Sequence, residues 1–552
     1  MATILADNII SPLGSTTQAN CQAITSGKSA LRQYGTDTDI HVPFPFTAAL
    51  FSEEQKNAFA IDNYTLFESL AITSIRETLT ACQVPMDRRT CLLISSTKHE
   101  GPLAAQRIAQ AVGIITTPVI VCNACISGVS ALILADRLIE MQCYDYVIVC
   151  GLDLQTTFII SGFFSLKALS PDECHPFDLE RTGLNLGEAA TTVILGKRQK
   201  EGDWHILASA VRNDAYHISS PSPKGEGCRM AIEAVMPPTG QPALINAHGT
   251  ATLYNDQMEA RAISQSALSQ IPVNALKGFF GHTMGAAGIL ETIITMHSLD
   301  NKTIIGTKGY KEMGVSGNIN IIRDNTPTDK TSFLKIISGF GGCNAAIHIA
   351  KAPPPLRSEE NKNKKWKTLH KIVITPTKVQ IDNETIDTER QEGMNLLIHL
   401  YRTRINDYPR FYRMDALARL GFVATELLLQ KERETEGGPE HHHRAVVFCN
   451  ESSSANADRT FLATISSPEN FFPSPSAFVY TLPNIANAEV AIRNHCHGET
   501  AFYILPKQDE NIMQMLAEAT MQDPFNKDLI TGWLECKDED RFQATITLIK
   551  NH

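Results

Sequence analysis

Residues 118–141 read PVIVCNACISGVSALILADRLIEM, and the fold is decided there. A short run of β-branched residues leads into a polar, glycine-containing segment and then into an apolar stretch too long for a strand. The expected order is strand, tight turn and buried helix, with Cys125 at the helix mouth. The first turn of a helix offers unpaired N–H groups and the positive end of the macrodipole, both of which favour a thiolate. A cysteine so placed can ionise well below the free value of about 8.5. Position alone does not make a nucleophile, because buried, inert cysteines are the common case.

The same stretch raises a membrane question, since residues 111–135 carry no charge and are long enough to span a bilayer. Thr116, Thr117, Pro118, Asn123 and Gly128 interrupt it with polar groups and a helix breaker, so it reads as the centre of a soluble domain with no membrane span. The start, MATIL, lacks the basic residues and cleavage pattern of a signal peptide. Thirteen scattered cysteines fit reduced thiols and a cytoplasmic location. A net charge of −10 argues against nucleic acid as a partner.

At 552 residues the chain exceeds the ~250–300 at which single cores stop growing, so several domains are expected. Strands are expected at 2–14, 90–95 and 146–151, with helices at 17–26, 64–82 and 103–112 around the central stretch. The pattern restarts after His175-Pro-Phe-Asp178 and Gly187-Glu-Ala-Ala190, with strands at 191–195, 204–211, 243–247 and 335–338 and helices at 228–235, 257–268 and 285–299. Strands alternating with helices imply an α/β fold, here two α/β halves making one domain over residues 1–352. Residues 353–367, PPPLRSEENKNKKWK, combine a proline run with dense charge and read as a linker.

Residues 368–552 look like a degenerate copy of the chain's beginning. The 371–376 strand opens it, the 414–429 helix stands for 64–82, and RAVVFCN at 444–450 stands for TCLLIS at 90–95. The 500–505 strand, the 511–519 helix and the 529–535 strand then repeat the central strand, helix and next strand. The position of Cys125 falls near Pro506 to Asp509, where no cysteine stands, so this half-domain is expected to have a structural or pairing role.

Two motifs give Cys125 partners. Asn246-Ala-His248-Gly-Thr250-Ala-Thr252 places a histidine after an apolar strand, and Lys277-Gly-Phe-Phe-Gly281-His282 places a second in a small-residue turn before a helix. A thiolate with two histidines suits a reaction that takes up an acyl group and then stabilises a developing negative charge.

Over residues 2–350 the chain resembles the β-ketoacyl-acyl carrier protein synthases, condensing enzymes of the thiolase-like fold. The resemblance rests on Ser11-Pro-Leu-Gly14, Ala124-Cys125-Ile-Ser-Gly128, Leu166-Lys-Ala-Leu-Ser170, Pro176-Phe-Asp178 and Asn213-Asp-Ala-Tyr-His217. It is completed by Ala247-His-Gly-Thr250, Lys277 with Gly281-His282, and Gly339-Phe-Gly-Gly342. It implies a layered α-β-α-β-α architecture and a decarboxylative Claisen condensation in fatty acid or polyketide synthesis, for example of aryl polyenes. Cys125 would carry the acyl chain, and His248 and His282 would hold the thioester carbonyl of malonyl-acyl carrier protein while carbon dioxide leaves.

By the same resemblance the N–H groups of Cys125 and Phe340 would form an oxyanion hole, with Phe340 as a gate over the acyl pocket. Thr250 and Thr252 would bind the pantetheine arm. Lys277, with Glu259 as its partner, would order the loop of the second histidine. Substrates ride on the phosphopantetheine of an acyl carrier protein and no cofactor is expected. Family members are dimers, so a second copy or another synthase-like chain is an expected partner. The alternative is a non-catalytic chain-length-factor-like subunit, against which the three side chains argue. A thiolase or acyltransferase acting on coenzyme A thioesters would share the fold. Ile126, where a small residue is usual, and Cys343, where threonine is common, depart from the family pattern, and the synthase region is short.

Cys122 and Cys125 form a Cys-x-x-Cys pair, but no second such pair completes a zinc site. Cys122 is expected in the core, His441 to His443 in a solvated loop, and His495 and His497 on the surface. His217 is read as structural. Asp178, Glu188 and Asp256 are read as buried carboxylates that fix loops.

Overall fold

The computed structural model describes residues 1–36, 38–197, 202–237, 240–351, 366–437, 442–467 and 469–551. In the first α/β half, Thr90–Ser95 lies parallel to both Val119–Val121 and Tyr146–Asp153. Tyr146–Asp153 pairs antiparallel with Ala189–Gly196, which pairs antiparallel with Thr3–Ile10. The second half repeats the theme, with Leu244–Asn246 parallel to both Pro272–Asn274 and Ser332–Gly339. A hairpin adds Cys343–Ala350, and that strand pairs with Trp204–Asn213. Thr3 and Ile4 opposite His205 and Trp204 join the halves.

Two helices, Ser127–Glu140 and Ala287–Asp300, run between these layers and are apolar nearly all round, as burial on every side requires. They cross closely because glycines face each other at their N-termini. A Cβ on Gly128 would sit 2.8 Å from the Gly285 carbonyl oxygen, and one on Gly288 would sit 2.6 Å from Val129 Cγ2. Each helix is entered through a tight turn, Ala124–Ile126 and Met284–Ala286, whose first residue is left-handed, with φ of 48° at Ala124 and 51° at Met284. The crossing therefore brings the two helix mouths, and with them Cys125 and His282, to one place.

The C-terminal half follows the order read as a copy. Arg444–Asn450 is parallel to both Thr500–Ile504 and Asp528–Cys536, which continues antiparallel through Phe542–Asn551 to Trp366–Thr375. Even an irregularity repeats: the register shift between Ile4 and Ala6 has a counterpart between Thr368 and His370. Most of the linker, residues 353–365, lies outside the described residues. Trp366 and Lys367, assigned to it from composition, instead open the paired strand, opposite Asn551 and Lys550. The sequence reading also passed over the Thr157–Ser165 helix and the Cys343–Ala350 strand.

The copy does not hang free. Thr500–Ile504 pairs antiparallel with Val119–Val121, placing Tyr503 opposite Val121 and Ile504 opposite Ile120, so one sheet runs through both regions. The seam buries charge as well as backbone. Arg137 donates to Glu499 at 2.7 Å and Arg212 donates to Asp523 at 2.6 Å. Asn123 donates through Nδ2 to the Thr500 carbonyl at 2.9 Å. His497, expected on the surface, is half-buried here, its Nδ1 lying 2.9 Å from the Asn213 carbonyl oxygen. His495 is exposed as expected.

Candidate active site

Cys125 Sγ lies 3.0 Å from His282 Nε2. The His248 ring stands 5.0 Å from that of His282, nearly perpendicular at 81°. The backbone N–H of Met284 donates to His282 Nδ1 at 3.3 Å, so the neutral ring carries its proton on Nε2, facing the sulfur. Burial, reinforced by Lys277 and Lys335, drives both imidazoles well below their ordinary pKa, so they are uncharged donors at neutral pH.

The thiol departs from the sequence expectation. Burial pushes Cys125 up to about 12, against the pull of Lys277 and of hydrogen bonds from the N–H groups of Cys125 and Phe340. Desolvation of the charged form outweighs the helix terminus here, and the resting group is a thiol. The two N–H groups that reach Sγ are the pair expected to form an oxyanion hole.

Lys277 is held differently from the expectation. Its Nζ donates to Glu291 Oε1 at 2.7 Å, while Lys335 meets the other oxygen of the same carboxylate at 2.6 Å. Burial would raise the Glu291 carboxyl, but the two ammonium groups hold it below its usual range. Glu259, assigned to Lys277 from sequence, instead accepts from the N–H groups of His248 at 2.7 Å and Gly249 at 2.8 Å. Asn255 Nδ2 donates to it at 2.8 Å. It fixes the His248 loop, not the His282 loop. Glu291 and Lys335 were missed, although a charge inside each of the apolar runs AGILETIITM and SFLKIISG was a visible signal.

A cleft of about 390 Å³ opens onto Cys125, His248 and His282, with Thr250 and Thr252 on its wall. The two threonine hydroxyls lie 2.9 Å apart. Behind Phe340 a second, almost filled space of about 10 Å³ touches Cys125, Ile159, Phe163 and, from the C-terminal half, Phe478 and Leu482. Asp178, Glu188 and Asp256 accept backbone N–H groups, as loop-fixing residues do. His217 Nδ1 accepts from Ser219 and Ser220. Cys122 is buried, with its Sγ 3.8 Å from the Thr97 carbonyl oxygen, so it takes no part in the cluster. The donor atoms of Cys125, His248 and His282 all lie within 4.8 Å of one another, close enough that a metal ion would compete for them.

Cys125 at the mouth of one crossed helix, His282 at the mouth of the other and His248 after the Leu244–Asn246 strand thus share one cleft of a mixed α/β molecule. Residues 69–201 match the family described as "Beta-ketoacyl synthase, N-terminal domain" and residues 205–311 match "Beta-ketoacyl synthase, C-terminal domain". The likeness to the β-ketoacyl synthases thus spans residues 69–201 and 205–311.

A 3-oxoacyl-[acyl-carrier-protein] synthase 2 of Staphylococcus aureus (strain COL) is 29% identical over 249 residues, covering 42% of this chain and 60% of the relative. The chain thus spans about 60% of the length of such relatives. Among solved structures, "PfaC Keto synthase-Chain length factor" superimposes with a TM-score of 0.73 at 13% identity, over 100% of this chain and 78% of that one. "The ishigamide ketosynthase/chain length factor" gives a TM-score of 0.57 at 19% identity, over 64% of this chain and 99% of that one. No helix among the described residues is long and apolar enough to cross a membrane.

Proposed function

We propose that this chain is a 3-oxoacyl-acyl carrier protein synthase whose C-terminal half stands where a second synthase-like subunit would. The observation that carries the reading is the 3.0 Å approach of His282 Nε2 to Cys125 Sγ, with His248 alongside in one cleft.

In the first half-reaction the Cys125 sulfur attacks an acyl thioester on the phosphopantetheine of an acyl carrier protein. An S–C bond forms, the pantetheine sulfur leaves, and the thiol proton ends on it, so no proton is consumed. The carbonyl oxygen becomes an oxyanion against the N–H groups of Cys125 and Phe340. Malonyl-carrier protein then enters the same cleft past Thr250 and Thr252. Its carboxylate departs as carbon dioxide, and the enolate oxygen forms against the N–H donors of His248 and His282. Two neutral donors suit this step better than one cation, because they stabilise charge without giving up a proton to carbon. The enolate carbon attacks the acyl carbonyl, the C–S bond breaks, and the Cys125 sulfur regains a proton from water. The product is a 3-oxoacyl thioester two carbons longer.

No cofactor beyond the carrier's phosphopantetheine enters this scheme, and a cytoplasmic setting fits the reduced cysteines. The edge of Val119–Val121 on which a partner subunit would pair is occupied by the chain's own Thr500–Ile504. We therefore read the functional unit as one chain rather than the dimer expected from the family.

The test is intact-mass analysis after incubation with acyl-carrier proteins of different chain length, comparing wild type with Cys125→Ala. An acyl adduct on wild type that the substitution abolishes is expected. An adduct that survives removes Cys125 from the role, and carbon dioxide release only from malonyl-coenzyme A would replace the carrier protein as donor.

A further inference from the structure

One side chain of the C-terminal half reaches the loop over Cys125. Asn484 is 2% exposed and stands at the start of the Ile485–Asn494 helix. Residues at that position commonly cap the helix with the side chain. Asn484 makes no such bond. Its Nδ2 donates instead to the Phe340 carbonyl at 2.9 Å and lies 4.0 Å from Cys343 Sγ. Its Oδ1 has no hydrogen-bond partner among the described residues.

The loop needs such a hold. Residues 339–342 read Gly-Phe-Gly-Gly, and Gly341 and Gly342 sit at φ of +91° and +68°, where glycine moves freely. From Gly341 onward the synthase half fixes it: Gly341 N–H donates to the Ile218 carbonyl at 2.7 Å, and Asn213 Nδ2 donates to the Gly341 carbonyl at 2.8 Å. Asp214 N–H donates to the Gly342 carbonyl at 2.7 Å. Among the described residues the Phe340 carbonyl has only Asn484 and the weakly donating Cys343 thiol, at 3.2 Å. The fit is close, since a Cβ on Gly341 would fall 2.7 Å from Asn484 Nδ2.

We propose that Asn484 is a positioning residue for the Phe340 gate and, through the Phe340 backbone, for the oxyanion site at Cys125. The copy thus completes the catalytic loop of the other half. The part concerning catalysis rests on the function proposed above; the hold on the loop stands on geometry alone.

The test uses the full chain with Asn484→Ala and Asn484→Leu. The leucine keeps the size but cannot donate, so a merely space-filling role survives it. Two readouts are taken: amide hydrogen exchange of residues 339–342, and the rate of acyl transfer to Cys125. Both variants are expected to exchange about tenfold faster in the loop and to lose about tenfold in kcat with KM within about twofold, the scale of one positioned hydrogen bond. Exchange and kcat within twofold of wild type in either variant would overturn the proposal. Should wild type form no acyl adduct, the function reading falls, and loop exchange alone then decides whether Asn484 holds the gate.

Discussion

Removing Arg137 tests how far the synthase half depends on its copy. Its guanidinium donates to Glu499 at 2.7 Å, and the two side chains are 5% and 4% exposed. Asp523 lies 3.8 Å from the same guanidinium and also holds Arg212. Arg137→Ala leaves the Glu499 carboxylate buried with Arg212 as the remaining cation nearby. Breaking such a pair from one side costs about 3–5 kcal/mol, since the stranded charge keeps its desolvation penalty. At about 2.1 cal/mol/K per residue, that corresponds to a fall in Tm of roughly 3–4 °C for a chain of this size.

The pH dependence has a defined sign. Burial already raises the Glu499 carboxyl, with Arg137 opposing, so losing Arg137 raises it further. The folded variant then binds more protons than its unfolded chain, and its stability rises as pH falls through the folded value toward the unfolded one. The deficit should therefore be larger at pH 8 than at pH 5, as read by thermal unfolding of wild type, Arg137→Ala, Glu499→Gln and the double variant. A double variant as unstable as the sum of the singles, or a deficit independent of pH, would refute the reasoning.

Carbamidomethylation of Cys125, followed on its own peptide, should accelerate steadily from about pH 7 to 10, because burial holds the thiol up at about 12. A plateau by pH 8 would mean that the helix mouth wins after all. His248→Ala should still form the acyl adduct but release carbon dioxide about 10²–10³-fold more slowly, and equal loss of both steps would contradict its assigned role. Glu291→Gln strands Lys277 and Lys335, which are 1% and 0% exposed, and should destabilise by about 3–5 kcal/mol in urea unfolding. Sedimentation velocity should give a single species near 60.7 kDa, and a species of twice that mass would show that a further subunit interface exists.

The strand, turn and helix around Cys125 were legible because each element has its own period, and both histidine motifs stand at strand or helix ends where turn chemistry is local. The strands and helices after residue 368 were legible for the same reason. What escaped were contacts whose partners are far apart in sequence. Glu259 was paired with Lys277 by resemblance, whereas the helix from Leu253 turns it toward the backbone of His248. Asn484 belongs to no motif and acquires meaning only when its helix is docked. The thiol's ionisation was misjudged because a helix terminus can be read from sequence, while its desolvation depends on every layer packed around it.

The strand pairing of Thr500–Ile504 with Val119–Val121 has a consequence for how this molecule survives dilution. When two subunits meet edge to edge, their association follows mass action and fails at low abundance. Here the encounter is intramolecular, so the local concentration of one half at the other is set by the tether and not by expression level.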